Sequence, residues 1–157
     1  MDYMGKISKK GKVNKIIKNK TINLFESKTS SNSYDRSIID SICVKYMNSL
    51  NTRDALATLV DIITHLIVKK LKNFKIKSLI VTGGGRKNNS IILSLKNKAN
   101  FKVLLAEDVN IDGDSLEAQA FAYLALRSLK GMPYTFKNTT GVKKSCSGGT
   151  LYYANCY

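Results

Sequence analysis

One segment, residues 78–106, constrains the fold of this chain more than any other. It opens with a short apolar run rich in β-branched residues at 78–82, passes through Gly83, Gly84 and Gly85 into a helical pattern at 89–98, and closes with a second apolar run at 101–106. A strand, a turn, a helix and a strand in this order form a β-α-β unit, which demands a right-handed crossover and a parallel strand pair. The sequence therefore predicts an α/β fold.

The spacing of apolar residues predicts three further helices. Two of them follow one another after Tyr34, and their apolar positions are Ile38, Ile39, Ile42 and Met47, then Leu56, Leu59, Val60, Ile63, Leu66, Ile67 and Leu71. The third is expected from about 115 to 130, with Gly131 at its end and Pro133 just beyond. Its predicted core positions are Leu116, Phe121, Leu124, Ala125 and Leu129. A last strand is predicted near 148–154.

The charge balance is strongly positive, with 26 Lys and Arg against 11 Asp and Glu, which gives a formal charge of +15. Only four of the 26 cations are Arg, whereas the bidentate recognition of phosphate and guanine favours Arg. The lysines are spread over the whole chain, and no aromatic residues that would stack bases alternate with those near the N-terminus. We therefore do not expect nucleic acid as a partner.

A length of 157 residues suits one ordinary domain. Residues 1–33 are rich in lysine and show little core of their own, so the regular domain is expected at 34–157. No run approaches the roughly 18 uninterrupted apolar residues of a membrane span, and the first residues show no apolar signal region. We expect a cytoplasmic protein without a membrane partner, with Cys43, Cys146 and Cys156 as reduced thiols.

The run Thr82-Gly83-Gly84-Gly85-Arg86-Lys87-Asn88-Asn89 lies between a predicted strand and a helix start. Consecutive glycines let a ligand approach the backbone closely, and a helix N-terminus carries partial positive charge, so the run is a candidate nucleotide- or phosphate-binding turn. The structural alternative is a tight turn with Asn88 or Asn89 as the helix N-cap. The run matches neither the dinucleotide fingerprint nor the Walker A pattern.

The acidic stretch at 108–119 allows two interpretations. Oxygen donors at Asp108, Asn110, Asp112 and Asp114 imitate the first half of a calcium loop. The twelfth position is Gln119, which cannot supply the bidentate carboxylate, so we predict no metal ligands. The other interpretation is a capping box, in which Asp114 caps the following helix and Glu117 reaches back from its third position.

Several separate runs resemble one family. They are 79–88, 112–125, Gly131-Met132-Pro133 and Thr139-Thr140-Gly141-Val142, with weaker similarity at 11–14, 33–36 and 54–59. Their order, spacing and identity resemble the C-terminal part of the anhydro-N-acetylmuramic acid kinases. The resemblance implies a ribonuclease H-like lobe of the actin-like ATPase type, with a mixed sheet and packed helices. Residues 1–33 would then belong to the region between two lobes, and 34–157 to the C-terminal nucleotide and sugar kinase lobe.

The family transfers the γ-phosphoryl group of ATP to O6 of 1,6-anhydro-N-acetylmuramic acid while water opens the anhydro bond, in peptidoglycan recycling. The resemblance therefore implies ATP, Mg²⁺ and this amino sugar as ligands, and a homodimer. Gly83, Gly84, Gly85 and Asn88 look like the nucleotide-binding turn, and Glu117 looks like the glutamate that faces the sugar.

The family's catalytic aspartate lies in a D-T-G-P-G-N-like motif that this sequence does not contain, so no catalytic residue is assigned. Asp2 corresponds to a weaker position just after that motif and is not nominated. Ser31 and Asn32 stand where many members carry Pro and Lys. We expect a chain that is inactive alone, and that regains activity if a separately encoded N-terminal lobe assembles with it. The alternatives are a non-catalytic module that binds nucleotide or nucleic acid, and a decayed product without function.

Overall fold

A computed structural model describes residues 2–28, 40–41 and 43–153 of the chain. These residues belong to two compact units, Met1–Asn110 and Ile111–Tyr157. The predicted helix that begins after Tyr34, with Ile38, Ile39 and Ile42, lies outside the described residues except for its end. There Cys43–Met47 forms a π-helical turn.

The described residues of the first unit form three long helices and two strands. In chain order they are α1 (Lys15–Lys28), α2 (Thr52–Leu71), β1 (Ser78–Val81), α3 (Asn89–Lys98) and β2 (Lys102–Leu105). The two strands are parallel, with Ser78 opposite Lys102 and Val81 opposite Leu105. The predicted β-α-β unit and the α/β class are therefore confirmed. The described sheet has no antiparallel strand, and the ribonuclease H-like topology stays a prediction.

Helix α2 is the central element of this unit, because it contacts α1 on one side and α3 on the other. Its N-cap is Asn51, whose side chain accepts a hydrogen bond from the Asp54 backbone N–H. Residues of α2 take part in two clusters of buried apolar side chains. The first cluster is Ile22, Phe25, Met47, Ile62 and Leu66, and the second is Val68, Leu95 and Val103. Of the seven predicted apolar positions in α2 only Leu66 is buried, since a helix covered on two sides does not bury a single stripe.

The lysine-rich N-terminal segment forms helix α1, which the sequence pattern did not predict, and this helix shares the core of the first unit. Helix α1 buries Ile22 and Phe25. The chain before α1 is fastened to α2 by two hydrogen bonds, from the Lys12 N–H to Asp54 Oδ1 at 2.6 Å and from the Asn14 N–H to Thr58 Oγ1 at 2.9 Å. Contacts with distant residues therefore fix the position of this N-terminal segment, whose sequence shows no clean periodicity.

A polar cluster joins the three helices of the first unit. Asp61 on α2 forms salt bridges with Lys18 on α1 at 2.6 Å and with Lys98 on α3 at 2.5 Å. The Lys98 ammonium also donates to Thr64 Oγ1 at 2.6 Å and to Ser94 Oγ at 2.9 Å. Burial alone would raise the pKa of Asp61, but the hydrogen bonds and charges of the two lysines outweigh it and hold that pKa below its ordinary value.

The second unit contains α4 (Leu116–Leu129) and α5 (Lys137–Thr140). Gly131, at φ +63°, ends α4 as predicted: its N–H donates to Ser128 O, and the Met132 N–H donates to Arg127 O, which is a Schellman arrangement. The predicted strand at 148–154 is wrong for its described part, because Gly148–Tyr153 has no strand; the pairing observed is an isolated antiparallel bridge between Thr135 and Cys146.

The predicted core of α4 is also wrong within the described residues. No residue of α4 is buried, and Phe121 and Leu129 are 65% and 63% exposed. A unit this short encloses little volume, so it cannot cover an amphipathic helix with its own residues. In the part of the chain that the structure describes, no helix is long and apolar enough to cross a membrane.

Candidate functional site

The glycine turn begins where β1 ends. Gly83 has a φ of +67°, which only glycine adopts readily, and it redirects the chain into a 3-10 turn at Gly84–Lys87. The turn is closed by hydrogen bonds from the Arg86 N–H to Gly83 O at 3.2 Å and from the Asn88 N–H to Gly85 O at 3.1 Å. The structure therefore brings the four predicted residues, Gly83, Gly84, Gly85 and Asn88, together between β1 and α3.

The packing around Gly84 and Gly85 does not require glycine. Neither has a positive φ, and a Cβ built on either would meet no described atom within 4 Å. Gly11 is different, because a Cβ there would lie 2.0 Å from the Arg53 carbonyl oxygen. A Cβ at Gly83 would also meet no described atom, so only the φ of Gly83 requires glycine, and the turn leaves its backbone open to a closely approaching ligand.

Asn88 is the N-cap of α3, which confirms the structural prediction made for it. Its Oδ1 accepts hydrogen bonds from the Ser90 N–H at 3.0 Å and the Ile91 N–H at 3.3 Å. Such a cap fixes the first turn of the helix and satisfies donors that would otherwise be unpaired. The partial positive charge of the N-terminus of α3 therefore lies directly after the glycine turn.

The first residues of the chain pack against this helix start. Ser90 Oγ donates to Gly5 O at 2.9 Å, and the Asp2 carboxylate accepts from the Ile7 N–H at 2.8 Å. Burial would raise the pKa of Asp2, but hydrogen bonds from Ser8, Ile7 and Asn88 outweigh it and lower that pKa. Asp2 thus reaches the cap residue of the candidate site. No local sequence pattern indicates this contact, since 86 residues separate the two positions.

A buried arginine, Arg86, forms a hydrogen bond to the backbone of the turn. The Arg86 side chain is only 5% exposed, and its Nε–H donates to Glu107 Oε1 at 2.7 Å. Its Nη1–H donates to Gly83 O at 2.9 Å. Glu107 belongs to the 3-10 turn Ala106–Val109, which directly follows β2. The sequence analysis included Arg86 in the candidate turn without giving it a role, and it missed Glu107; the available signal was a cation and an anion placed just after two predicted parallel strands.

The acidic residues of 108–119 form local hydrogen bonds. Asp108 Oδ2 accepts from the Leu105 N–H at 2.8 Å, and Asp112 Oδ1 accepts from the Asp114 N–H at 3.0 Å. Hydrogen bonds from Ser115 and Asp114 lower the pKa of Asp112. Among the described residues no group of three or more His, Cys, Asp or Glu side chains is arranged to hold a metal ion.

Glu117 lies in the second unit, in the first turn of α4, and is exposed. The predicted capping box is not the arrangement observed: the N-cap of α4 is Ser115 rather than Asp114, and the Ser115 side chain makes no cap hydrogen bond. Because the helix starts one residue later, Glu117 occupies its second position instead of its third. The Glu117 carboxylate is therefore not occupied by the predicted capping box.

A parallel β-α-β unit with an open glycine turn at a capped helix N-terminus defines the chain as an α/β protein with a candidate phosphate-binding turn. The family model for anhydro-N-acetylmuramic acid kinase matches residues 3–154. The chain belongs to this family, as its sequence resemblance predicted.

Curated relatives give the same result. The anhydro-N-acetylmuramic acid kinase of Pelagibacter ubique is 38% identical over 96% of this chain and 42% of its own length. The enzyme of the same name from Roseobacter denitrificans is 32% identical over 97% of this chain and 41% of its own length. That of Caulobacter vibrioides is 41% identical over 67% of this chain and 29% of its own length. The chain thus spans about two fifths of the first two relatives.

Proposed function

We propose that this chain supplies the nucleotide- and sugar-binding part of an anhydro-N-acetylmuramic acid kinase. The reaction is the ATP-dependent opening of the 1,6-anhydro ring with phosphorylation at O6, in the recycling of peptidoglycan in the cytoplasm. The observation that carries the proposal is the open space at Gly84 and Gly85, which the chain's own packing does not explain. Family membership identifies the reaction class to which such a turn belongs.

In this proposal the turn binds the phosphate groups of ATP. The polyphosphate carries several negative charges, and the N-terminus of α3 together with the backbone N–H groups of the turn provides a complementary positive end. Gly83, Gly84 and Gly85 let the phosphates approach, and Asn88 contributes by fixing the first turn of α3. Mg²⁺ would neutralise charge on the transferring group, held by the nucleotide rather than by a cluster of protein carboxylates.

Glu117 is proposed to bind the sugar. An exposed carboxylate accepts hydrogen bonds from sugar hydroxyl or amide groups, and the family resemblance assigns this role to the position. The test is Glu117→Gln, which keeps the size of the side chain and removes its charge. It should weaken binding of anhydro-N-acetylmuramic acid and leave ATP binding unchanged; equal sugar affinity in both proteins would contradict the assignment.

The chain alone is proposed to be inactive. Phosphoryl transfer requires groups that position the water and the γ-phosphate, and the family's D-T-G-P-G-N-like motif does not occur in this sequence. A complementary lobe, encoded separately or as another part of the same protein, would supply them. The exposed apolar residues of α4, including Phe121 and Leu129, suit contact with such a lobe or with a second copy in a homodimer.

The test is a kinase assay on the purified chain, alone and mixed with the portion of the Pelagibacter ubique kinase that this chain does not match. We expect no phosphorylation of anhydro-N-acetylmuramic acid by either part alone and measurable turnover by the mixture. Turnover by the chain alone would contradict the proposal of inactivity. ATP binding without turnover in any mixture would instead favour the non-catalytic nucleotide-binding alternative.

A further inference from the structure

Arg86 combines burial with charge in a way that the nucleotide proposal does not use. Its side chain is only 5% exposed, although the chain carries a formal charge of +15. Burying a guanidinium is costly unless hydrogen bonds and an opposite charge compensate it. Glu107 provides the charge, and Gly83 O provides a second acceptor.

The contact with Gly83 determines how the turn presents its backbone. The Gly83 carbonyl oxygen accepts from both the Arg86 N–H and the Arg86 guanidinium, at 3.2 and 2.9 Å. In a planar trans peptide the C=O and the following N–H point in opposite directions. Holding the Gly83 carbonyl toward the buried guanidinium therefore directs the Gly84 N–H the other way, toward the open side of the turn.

The contact with Glu107 connects the turn to the neighbouring strand. The glutamate follows β2, and Arg86 follows β1, so the ion pair links the carboxyl ends of two parallel strands. Because strand pairing fixes these ends relative to each other, the pair gives the guanidinium a stable anchor. Without that anchor the guanidinium would lose its ion pair with Glu107 and one of the hydrogen bonds that offset the cost of its burial.

We propose that Arg86 and Glu107 are positioning residues that hold the glycine turn in its phosphate-binding conformation. This inference rests on the proposed nucleotide site, and it assigns these two residues an effect on ATP affinity without contact to ATP. Glu107 is the better residue to change, because its side chain is 51% exposed and its replacement leaves no cavity in the core.

The experiment compares Glu107→Ala with Glu107→Gln in the full chain. Alanine removes the acceptor of the Arg86 Nε–H, whereas glutamine retains an oxygen at the same place. The net free energy of a charge-assisted hydrogen bond corresponds to roughly a tenfold change in a binding constant. We therefore expect about tenfold weaker binding of ATP and Mg²⁺ by calorimetry for Glu107→Ala, and an intermediate affinity for Glu107→Gln, which keeps the hydrogen bond and lacks the charge.

A second readout separates positioning from simple destabilisation. Hydrogen exchange at the Gly84–Lys87 amides, measured without ligand, should accelerate in Glu107→Ala and accelerate less in Glu107→Gln. Glu26→Ala is the matched control, since it removes an exposed glutamate that also forms a salt bridge, with Lys69 on α2. This control should change neither ATP affinity nor exchange in the turn.

The two proposals fail in different ways. If wild type does not bind ATP, the proposed function fails. Hydrogen exchange at the Gly84–Lys87 amides then tests by itself whether Arg86 and Glu107 hold the turn. If Glu107→Ala matches wild type and Glu26→Ala in that exchange, the positioning role is overturned whether or not ATP binds. If exchange accelerates but ATP affinity is unchanged, the pair shapes the turn without serving the nucleotide, which also overturns the proposal.

Discussion

Replacing Asp61 by Asn should destabilise the first unit strongly, although the two side chains have nearly the same shape. Asp61 lies between the ammonium groups of Lys18 and Lys98, at 2.6 and 2.5 Å, and its side chain is 19% exposed. Asparagine would remove the negative charge and leave two lysines from different helices facing each other. The three helices would then meet around uncompensated positive charge.

The expected magnitude follows from the exposure of the group. A fully exposed ion pair contributes up to about 1 kcal/mol, and removal of one partner from a buried pair costs about 3–5 kcal/mol. A carboxylate that is 19% exposed and has two partners lies between these limits, so we expect a loss of about 2–3 kcal/mol. In urea, with a typical slope for a small protein, this loss lowers the midpoint by roughly 1–2 M.

Urea denaturation followed by circular dichroism measures this loss, because α1, α2 and α3 provide the helical signal of the first unit. Asp40→Asn is the control, since it makes the same chemical change at an exposed carboxylate. A double variant with Lys98→Met should lose less than the sum of the two single losses. If Asp61→Asn stays within about 0.5 kcal/mol of wild type and of Asp40→Asn, the reasoning is refuted.

Three further outcomes are expected from the same structure. Ile62→Ala, at a side chain 1% exposed, should lower the free energy of unfolding by about 2–5 kcal/mol, whereas Phe121→Ala, at 65% exposed, should change it by less than about 1 kcal/mol; urea denaturation compares them. Gly11→Ala should cost at least about 1–3 kcal/mol by the same measurement, because its Cβ would lie 2.0 Å from the Arg53 carbonyl oxygen. The pKa of Asp61 is lowered in the folded protein, so its stabilising contribution is present above the unfolded pKa and is lost as the pH falls through the folded pKa; denaturation midpoints between about pH 5 and 2 should fall more steeply for wild type than for Asp61→Asn.

The β-α-β unit could be predicted from the sequence because each of its signals is local. The β-branched residues of β1, the consecutive glycines, the Asn88 cap and the periodicity of α3 lie within a few residues of one another and agree. The same holds for the end of α4, where Gly131 adopts the left-handed conformation that the Schellman arrangement needs. Local chemistry therefore accounts for the part of the fold that carries the candidate turn.

Burial could not be predicted as well, since it depends on what the rest of the chain covers. Helix α2 buries Thr58 and Thr64 completely, because Asn14 covers the first and Ser94 and Lys98 of α3 bond to the second. Helix α4 shows the reverse: its apolar residues have the spacing of a buried face, yet Phe121 and Leu129 are exposed in the described structure. Periodicity indicates which face of a helix can be covered, and it does not identify what covers it.

The residues of the glycine turn could be predicted from the sequence, whereas the ion pair that holds the turn could not. Gly83, Gly84, Gly85 and Asn88 are adjacent in sequence, so one motif contained them all. Arg86 and Glu107 are 21 residues apart, and their contact depends on the parallel pairing of β1 and β2. Predicting an ion pair of this kind requires combining the predicted parallel strand pair with two residues that no single motif contains.

The central claim, that the glycine turn is a nucleotide site, is tested most directly by thermal melts of wild type and Gly84→Ala with and without ATP and Mg²⁺. A ligand that binds only the folded state at a hundred times its Kd stabilises it by about 2.7 kcal/mol, which raises Tm by several degrees. Inorganic triphosphate is the control for nonspecific attraction to a chain of charge +15.

At Gly84 a Cβ meets no described atom within 4 Å, so the alanine variant should melt near wild type without ligand. The methyl group would nevertheless occupy the space that the phosphates need. We predict a clear rise in Tm with ATP for wild type, a smaller rise with triphosphate alone, and a much reduced rise with ATP for Gly84→Ala. No rise for wild type, or an equal rise in both proteins, would contradict the claim.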